Sequence, residues 1–328
     1  MYRIELRGSY TDIGRQQALP PGVWSPPPPE AHVLRFAKEC EEHLALHAPE
    51  LLEEIRGFAE ASDIDYDTFL TLITTAPFNS DDMRGCTVVA VLPERTADGR
   101  TIVGRNFDFF HDVSEQGATT YLTYPAGRHA SAGNCDIWIG REDGMNEAGL
   151  FFGQAACFLP GLQPGLTFWY TGRLLLDRCA TVDEGIELLH QVPHAASWTY
   201  LLADAAGNAA VVEPTIEGIE VRYPEDGLLI LTNHAVCPRW AGRETFVPPD
   251  SHPRYDRLRA LLGGSEQVTV DDVKAALRDH EGLVCSHGAH FPDRKFGTLW
   301  SVVGQPGDRE LHVAAGYPCE AEYRAIAF

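Results

Sequence analysis

A thiol, a permanent cation and a carboxylate occur close together in residues 84–110, "RGCTVVAVLPERTADGRTIVGRNFDFF", as Cys86, Arg105 and Asp108. The two runs rich in β-branched residues predict strands, and the "ADG" between them predicts a hairpin turn. Such a hairpin returns the cation and the carboxylate toward the cysteine. This arrangement suits a thiol nucleophile in a charged setting.

A lone cysteine in an apolar strand is also commonly a small buried hydrophobe, and this alternative stays open. Two features of the stretch favour chemistry. Arg105 and Asp108 are charges in a segment otherwise built for burial, and buried charges need partners. Gly85 leaves the peptide bond before Cys86 sterically unhindered.

The composition excludes several classes of function. A formal net charge of -21 argues against nucleic acid or an anionic membrane as a partner, since clustered Lys and Arg drive such binding. No apolar run is long enough to cross a bilayer, and "MYRIELRG" lacks the features of a secretory signal. Eight cysteines without a CxxC pair fit free thiols in a reducing compartment. We therefore expect a cytoplasmic protein.

The region before the cysteine is predicted to be mostly helical. "YRIEL" predicts a strand, and Ser9 or Thr11 can cap the helix that follows. The proline-rich residues 20–29 predict an extended loop, either a surface linker or a lid or partner-binding segment. Apolar residues recur at helical spacing through residues 30–77, and the polar "PFNSDDMRG" then predicts a loop leading into the cysteine.

The region after the hairpin alternates strands and helices. "TTYLTYPAG", "CDIWIGRE" and "GLFFGQAA" predict antiparallel strands, with "DGMNEAG" as the turn between the last two. Two helices follow, the second opened by a capping box of Thr181 and Glu184. Further hairpins place Asn233 at a strand end, before two helices and a closing hairpin around "QPGD". The pattern predicts an α+β layered fold.

The chain resembles the isopenicillin N acyltransferase family, which belongs with the choloylglycine hydrolases among the N-terminal-nucleophile hydrolases. The resemblance covers most of the chain and rests on "GSYTDIGRQQA", "RGCTVVAV", "GRNFDFF", "GMNEAGL", "LLADAAGN", "VVEP", "LTNH", "SHPRYDRL" and "TLWSVV". Their order and spacing together are far more specific than any one motif. The chain departs from the family pattern at Ala18, where members usually keep a glycine, and in the proline run that follows.

The resemblance implies a four-layered αββα sandwich and self-cleavage between Gly85 and Cys86. Residues 1–85 would become a short helical chain and residues 86–328 a longer chain carrying the sheets. Together the two chains would form one structural domain.

The resemblance also implies roles for particular residues. Cys86 would be the nucleophile, with its own α-amine as base. Arg105 would favour the thiolate, and Asp108 would hold the amine in place. Asn233 would donate its side-chain amide to the oxyanion.

A second oxyanion donor would be a backbone N–H of Gln154, Ala155 or Ala156. Arg254 would be a buried structural cation that supports the site. The alternative for Arg254 is a solvated charge on a helix.

Two competing interpretations of other motifs are weaker. Cys285, His287, His290 and Asp293 could bind zinc, but structural zinc usually takes its ligands from two separated pairs, so no metal or other cofactor is expected. His111 could act as the base of a Cys–His pair, but no third residue is evident, which favours a solvated loop histidine.

The sequence thus predicts a self-processing amidohydrolase acting on the linear amide bond of a small N-acyl amine or peptide-like substrate. An acyltransferase that passes an acyl group to an amine is the alternative within the enzymes. A scaffold without activity, in which Cys86 merely packs, is the alternative of another class. The negative charge disfavours a polyanionic coenzyme A donor and so favours hydrolysis.

Overall fold

Two β-sheets packed face to face form the centre of the protein, and helices cover both outer faces. The computed structural model describes residues 1–76, 85–112, 118–288 and 295–328. The loop predicted before Cys86 lies outside the described residues, except for its last residue, Gly85. His290 and Asp293 of the possible zinc set also lie outside them.

The described residues form eight α-helices and fourteen strands. The helices are α1 (Tyr10–Gln17), α2 (Ala31–His47), α3 (Pro49–Ser62), α4 (Tyr66–Thr75), α5 (Phe168–Arg178), α6 (Val182–Gln191), α7 (Ser251–Leu262) and α8 (Val270–Leu277). The strands are β1 (Tyr2–Gly8), β2 (Gly85–Val91), β3 (Ile102–Phe110), β4 (Thr119–Pro125), β5 (Ser131–Cys135), β6 (Asp143–Asn146), β7 (Phe151–Ala156), β8 (Trp198–Ala203), β9 (Ala209–Thr215), β10 (Gly218–Arg222), β11 (Leu228–Leu231), β12 (Phe296–Gly304), β13 (Glu310–Ala315) and β14 (Arg324–Ala327).

The strands divide into one sheet of eight and one of six. The larger sheet has the order β1-β4-β5-β6-β7-β8-β9-β10, and the smaller has the order β11-β2-β3-β12-β13-β14. Neighbouring strands are antiparallel throughout, except that β1 runs parallel to β4. The predicted hairpin is confirmed, because β2 and β3 pair directly and place Asp108 opposite Gly85.

Three layers of apolar contact hold the sandwich together. The layer between the sheets includes Phe107 and Trp300, whose rings stack with centroids 4.1 Å apart. A second layer joins the larger sheet to α1 through α6, and a third joins the smaller sheet to α7 and α8. Because side chains alternate between the two faces of a strand, each sheet contributes apolar side chains both to the central layer and to one outer layer. The predicted four-layered αββα sandwich is confirmed.

The strand predicted over residues 135–142 is wrong, and the turn predicted over 143–149 is confirmed only for its second half, since Asp143–Asn146 form β6 and the turn spans residues 147–149. Pairing ends at Cys135 and resumes in β6 (Asp143–Asn146). Between them Gly140 has a φ of 121°, in the region that favours glycine, and a side chain there would collide with Trp169. Residues 136–142 therefore lie outside the sheet, although their apolar residues resemble a strand.

The helix starts agree with the prediction at α1 and only in part at α6. Ser9 caps α1 in a full capping box with Asp12. The Thr181 hydroxyl accepts the backbone N–H of Glu184, but the Glu184 carboxylate accepts from Ala180 rather than from Thr181. The Thr181 box is therefore only half formed.

The proline-rich loop is irregular, as predicted, and its Trp24 packs against Trp138 with ring centroids 5.4 Å apart. Strand β14, at the edge of the smaller sheet, was not predicted. None of the helices in the described ranges combines the length and the hydropathy needed to cross a membrane.

Candidate active site

Cys86 lies in β2 between the two sheets, with 1% of its surface exposed. It packs within the central apolar layer, but its sulfur also meets a charge, because Nη2 of Arg105 donates to Sγ over 3.3 Å. The register explains this contact, since Arg105 on β3 lies opposite Val88, two residues along β2 from the cysteine. The thiol is therefore both a core group and the neighbour of a fixed cation.

Arg105 is fully buried and is held on several sides. Its Nη1 donates to Asp143 over 2.6 Å, its Nη2 lies 3.4 Å from Glu142, and its Nε donates to the carbonyl of Gln154 over 3.1 Å. Burial alone lowers the pKa of this guanidinium, but the groups around it, Cys86, Asp143 and Glu142, raise its pKa above the usual value. The cation is thus fixed in charge and in position.

The two carboxylates that hold Arg105 were missed in the sequence. Trp169 donates its indole N–H to Glu142 over 2.8 Å, and Trp300 donates its own to Asp143 over 2.8 Å. A signal was present, since "GREDG" places two adjacent acidic residues directly after the apolar run "IWI" and an arginine. Glu142 lies just outside the sheet and Asp143 is the first residue of β6, and both carboxylates reach the same guanidinium.

Burial raises the pKa of the Cys86 thiol to about 11, and Arg105 only partly offsets this shift by favouring the thiolate. Nearby Glu142 and Asp108 add to the rise. In the intact chain the sulfur is therefore protonated at neutral pH. Arg105 acts in the predicted direction, but desolvation is the larger effect.

The backbone of Cys86 is clamped by two residues that are distant in sequence. Oδ1 of Asn233, just after β11, accepts the N–H of Cys86 over 2.8 Å. Nη1 of Arg254, in α7, donates to the carbonyl of Cys86, and its Nη2 donates to the same Asn233 Oδ1 over 2.8 Å. Both the N–H and the carbonyl of Cys86 are thus hydrogen-bonded to side chains.

Arg254 is fully buried, so its interpretation as a solvated helix charge is wrong. Besides its bonds to Cys86 and Asn233, it donates to Thr87 over 2.9 Å and lies 3.3 Å from Asp250, the residue just before α7. These partners anchor the helix to the first strand of the smaller sheet. A cation in this position offsets the cost of the buried carboxylate of Asp250.

Removing the Arg254 charge is expected to destabilise the fold strongly. We expect Arg254→Met to lower the free energy of unfolding by about 3–5 kcal/mol, because Asp250 loses its buried partner. Arg257→Met on the same helix is the matched control. It breaks a partly exposed pair with Asp279 and is expected to cost about 1 kcal/mol or less. Urea unfolding of both variants measures the difference, and equal losses would contradict the structural role of Arg254.

Asp108 lies beside the bond that precedes the cysteine. Its Oδ1 accepts the hydroxyl of Thr298 over 2.6 Å, whereas its Oδ2 has no hydrogen-bond partner among the described residues. A Cβ placed on Gly85 would lie 3.0 Å from that Oδ2. Burial raises the pKa of Asp108 to about 6, against the lowering effects of Arg254 and Thr298.

The segment predicted to supply a second oxyanion donor, Gln154 to Ala156, forms the end of β7. The carbonyl of Gln154 accepts from Arg105, and the carbonyl of Ala156 accepts from Nδ2 of Asn233 over 3.1 Å. The segment is therefore tied to two of the side chains that surround the cysteine.

The two competing motifs lie elsewhere. His111 follows β3 directly and packs beside Tyr317, with ring centroids 5.2 Å apart. Cys285 and His287 do approach each other, with 3.6 Å between Sγ and Nε2.

A two-sheet αββα sandwich with a buried cysteine at the head of a central strand defines the class as the N-terminal-nucleophile hydrolase fold. The chain belongs to the acyl-coenzyme A:6-aminopenicillanic acid acyl-transferase family, whose model matches residues 95–320. The match includes Arg105, Asp108, Asn233 and Arg254 and begins after Cys86.

Individual relatives are distant. An uncharacterized protein from Archaeoglobus fulgidus is 24% identical over 277 residues, covering 70% of this chain and 46% of that protein. The chain thus spans about half the length of this curated relative.

Among solved structures, an N-acylethanolamine-hydrolyzing acid amidase ortholog from Caenorhabditis elegans aligns with a TM-score of 0.50 and 14% identity, covering 74% of this chain and all of the other. A penicillin V acylase from Agrobacterium tumefaciens aligns with a TM-score of 0.48 and 17% identity, over 70% of this chain and 83% of the other.

Proposed function

We propose that this protein cleaves itself before Cys86 and then hydrolyses the amide bond of a small N-acyl amine or peptide-like compound through a thioester. The proposal rests on three contacts that meet at one cysteine. Arg105 binds the sulfur of Cys86, and Asn233 and Arg254 bind its backbone. A cysteine that merely packs needs no such partners. The scaffold alternative leaves these buried polar contacts unexplained.

Self-cleavage begins with attack of the Cys86 sulfur on the carbonyl carbon of Gly85. The thiol proton passes to the departing amide nitrogen, so the peptide bond is exchanged for a thioester and a free α-amine. Water then hydrolyses the thioester, which leaves a carboxylate on Gly85 and restores the thiol. The products are residues 1–85 and residues 86–328, which remain associated through the buried contacts of α1 through α4.

Asp108 has the free capacity to receive the new amine. Its Oδ2 lies next to Gly85 and has no partner among the described residues, so an ammonium group at Cys86 gains an acceptor there. A second acceptor is Oδ1 of Asn233, which already binds the nitrogen of Cys86. The amine thus stays close to the sulfur after the bond is cut.

The mature site then uses that amine as the base for the thiol. An α-amine titrates near about 7.7–8.0 and a thiol near about 8.5, so proton transfer between them is almost balanced. The thiolate attacks the acyl carbon, the amine returns its proton to the leaving nitrogen, and water hydrolyses the thioester. Arg105 stabilises the thiolate in this sequence.

Asn233 is assigned to the oxyanion. Its contacts fix the amide orientation, since Arg254 and the Cys86 N–H both require an oxygen at Oδ1. Nδ2 carries two hydrogens and uses one on the carbonyl of Ala156, so within the described part of the chain the second remains for the developing negative charge. A backbone N–H from Gln154 to Ala156 is proposed as the other donor.

Loss of the Asn233 amide is expected to slow both the self-cleavage and the later hydrolysis. We expect Asn233→Ala to lower kcat about 10²–10³-fold, or about 2.7–4 kcal/mol in the barrier. The matched control is Asn146→Ala, which removes another buried amide that binds the carbonyls of Leu176 and Cys179. This control loses stability and keeps kcat, whereas an unchanged rate in Asn233→Ala would remove Asn233 from the oxyanion site.

Hydrolysis is favoured over acyl transfer by charge. A chain with a net charge of -21 repels a polyanionic thioester donor such as an acyl-coenzyme A during encounter. The family match favours transfer as the second candidate, since the family takes its name from an acyl transferase.

Incubation of the processed protein with a panel of N-acyl amines and N-acyl amino acids tests the proposal, with and without an acceptor amine. Released free acid in every condition supports hydrolysis. Acyl transfer that outruns hydrolysis supports the second candidate, and a two-chain protein that is inert on the whole panel argues against the proposed substrate class.

A further inference from the structure

Four side chains that can bind a metal converge at one end of the smaller sheet. His280, Cys285 and His287 lie on the loop after α8, and Cys319 lies on the turn after β13. Their ligand atoms all lie within 4.8 Å of one another. Sequence analysis singled out Cys285 and His287 but neither His280 nor Cys319, which lies 32 residues beyond His287.

The spacing of the ligand atoms fits a tetrahedral ion. The two sulfurs lie 3.5 Å apart, and Nε2 of His287 lies 3.6 Å from the sulfur of Cys285 and 3.2 Å from that of Cys319. A zinc ion with metal–sulfur distances of about 2.3 Å and metal–nitrogen distances of about 2.0–2.1 Å spaces its ligands about 3.3–3.8 Å apart. The widest pair in the cluster, which involves His280, must close by about 1.2–1.5 Å to reach that spacing.

The chemistry of the four ligands selects zinc. Two cysteines and two histidines form one of the common sets for structural zinc. On binding, each thiol releases its proton to solvent and the imidazoles bind as neutral rings, so a divalent ion with two thiolates has no net charge. Such a centre is compatible with the buried Cys285, while the exposed imidazoles of His280 and His287 give the ion a way in.

The surrounding contacts already hold the two segments together. Arg278 donates to the carbonyl of Pro318 over 2.8 Å, next to Cys319. The N–H of Cys285 donates to the carbonyl of Asp279 and closes the loop, and the ring of His287 stacks on Tyr317 with centroids 3.9 Å apart. The cluster is therefore formed by the fold rather than by chance contact of long side chains.

We propose that His280, Cys285, His287 and Cys319 bind one structural zinc ion. The ion joins the loop after α8 to the turn after β13. Ser286, between two of the ligands, donates its N–H to the Thr298 hydroxyl over 3.0 Å, and that hydroxyl donates to Asp108. The ion thus fixes the loop that positions the Asp108 side chain, without itself touching the reacting atoms.

Metal binding by the reduced protein tests the proposal. The protein is reduced, stripped with a chelator, exposed to Zn²⁺ alone and gel-filtered before metal analysis. We expect about one zinc per chain for the natural protein and less than about a tenth of that for Cys319→Ser. Cys237→Ser is the matched control, since Cys237 is also a partly exposed free cysteine but lies outside the cluster, and it is expected to retain its zinc.

Cobalt provides a second readout that does not depend on the variants. Co²⁺ added to the reduced natural protein is expected to give the intense visible bands of a tetrahedral ion and a sulfur-to-cobalt charge-transfer band. Absence of those bands overturns the proposal even if Cys319→Ser fails to fold. Retention of zinc by a folded Cys319→Ser overturns it as well, as does a reduced natural protein that keeps no zinc. Neither measurement depends on the amidase activity.

Discussion

The Cys86→Ala protein is expected to purify as a single chain of full-length mass, whereas the natural sequence is expected to yield two chains cut between Gly85 and Cys86. Alanine has no sulfur to attack the Gly85 carbonyl, so the thioester cannot form. Amide hydrolysis is lost with it, because both the nucleophile and the new α-amine are missing. Intact-mass spectrometry and amino-terminal sequencing measure the outcome.

A second cysteine separates this effect from general damage to the core. Cys135 is also fully buried, in β5. Cys135→Ala likewise removes one buried sulfur atom, but from a strand of the larger sheet. We expect this variant to be less stable but to cleave normally. A natural protein that stays intact, or a Cys86→Ala protein that is cut at the same bond, would rule out self-processing by this thiol.

The burial of Cys86 explains why cleavage should come before activity. In the intact chain only 1% of the residue is exposed, and burial raises the pKa of its thiol to about 11. A protonated and covered sulfur can reach the adjacent Gly85 carbonyl but no external substrate. We propose that cutting the chain frees an amine beside the sulfur, and that the precursor is latent until then.

The Asp108→Asn change is expected to slow self-cleavage strongly while making the intact chain more stable. Burial raises the pKa of Asp108 to about 6 from 3.8, so an ionised carboxylate costs the folded state about 3 kcal/mol at neutral pH. Asparagine removes the charge and can still accept from Thr298. We expect the free energy of unfolding at pH 8 to rise by about 1–3 kcal/mol.

The pH dependence of this gain has a definite sign. Because the folded-state pKa is raised, the natural side chain takes up a proton more readily in the folded protein, and its penalty disappears as the pH falls from about 6 toward 3.8. The two proteins should therefore differ most above pH 6 and converge below about pH 4. A gap that is independent of pH would contradict a buried, titrating carboxylate.

The comparison is best made in the Cys86→Ala background, where every protein is a single intact chain. Asp143→Asn is the matched control, since Asp143 is equally buried but is paired with Arg105 over 2.6 Å. Its neutralisation leaves a buried guanidinium without its closest partner and is expected to destabilise the fold. In the natural background, Asp108→Asn is expected to slow self-cleavage about 100-fold or more.

Local pattern was enough to predict most elements and one half of the candidate site. The alternation in residues 86–110 and the "ADG" turn predicted the hairpin that brings Arg105 and Asp108 to Cys86, because neighbours in a two-strand hairpin are set by local geometry. Residues 135–142 misled the same reasoning. Their apolar alternation resembles a strand, but they lie outside the sheet, where Gly140 packs closely against Trp169.

The sequence alone determined that a thiol, a cation and a carboxylate share one hairpin. Tertiary structure decided the burial, the hydrogen-bond partners and the pKa values of those groups. Arg254 could have been solvated, and its burial against Cys86 and Asn233 depends on how α7 packs on the smaller sheet. The pKa of Cys86 shifts upward because the thiol is desolvated between two sheets, and that environment exists only in the folded protein. The proximity of Cys319 to His287 likewise exists only once the chain is folded.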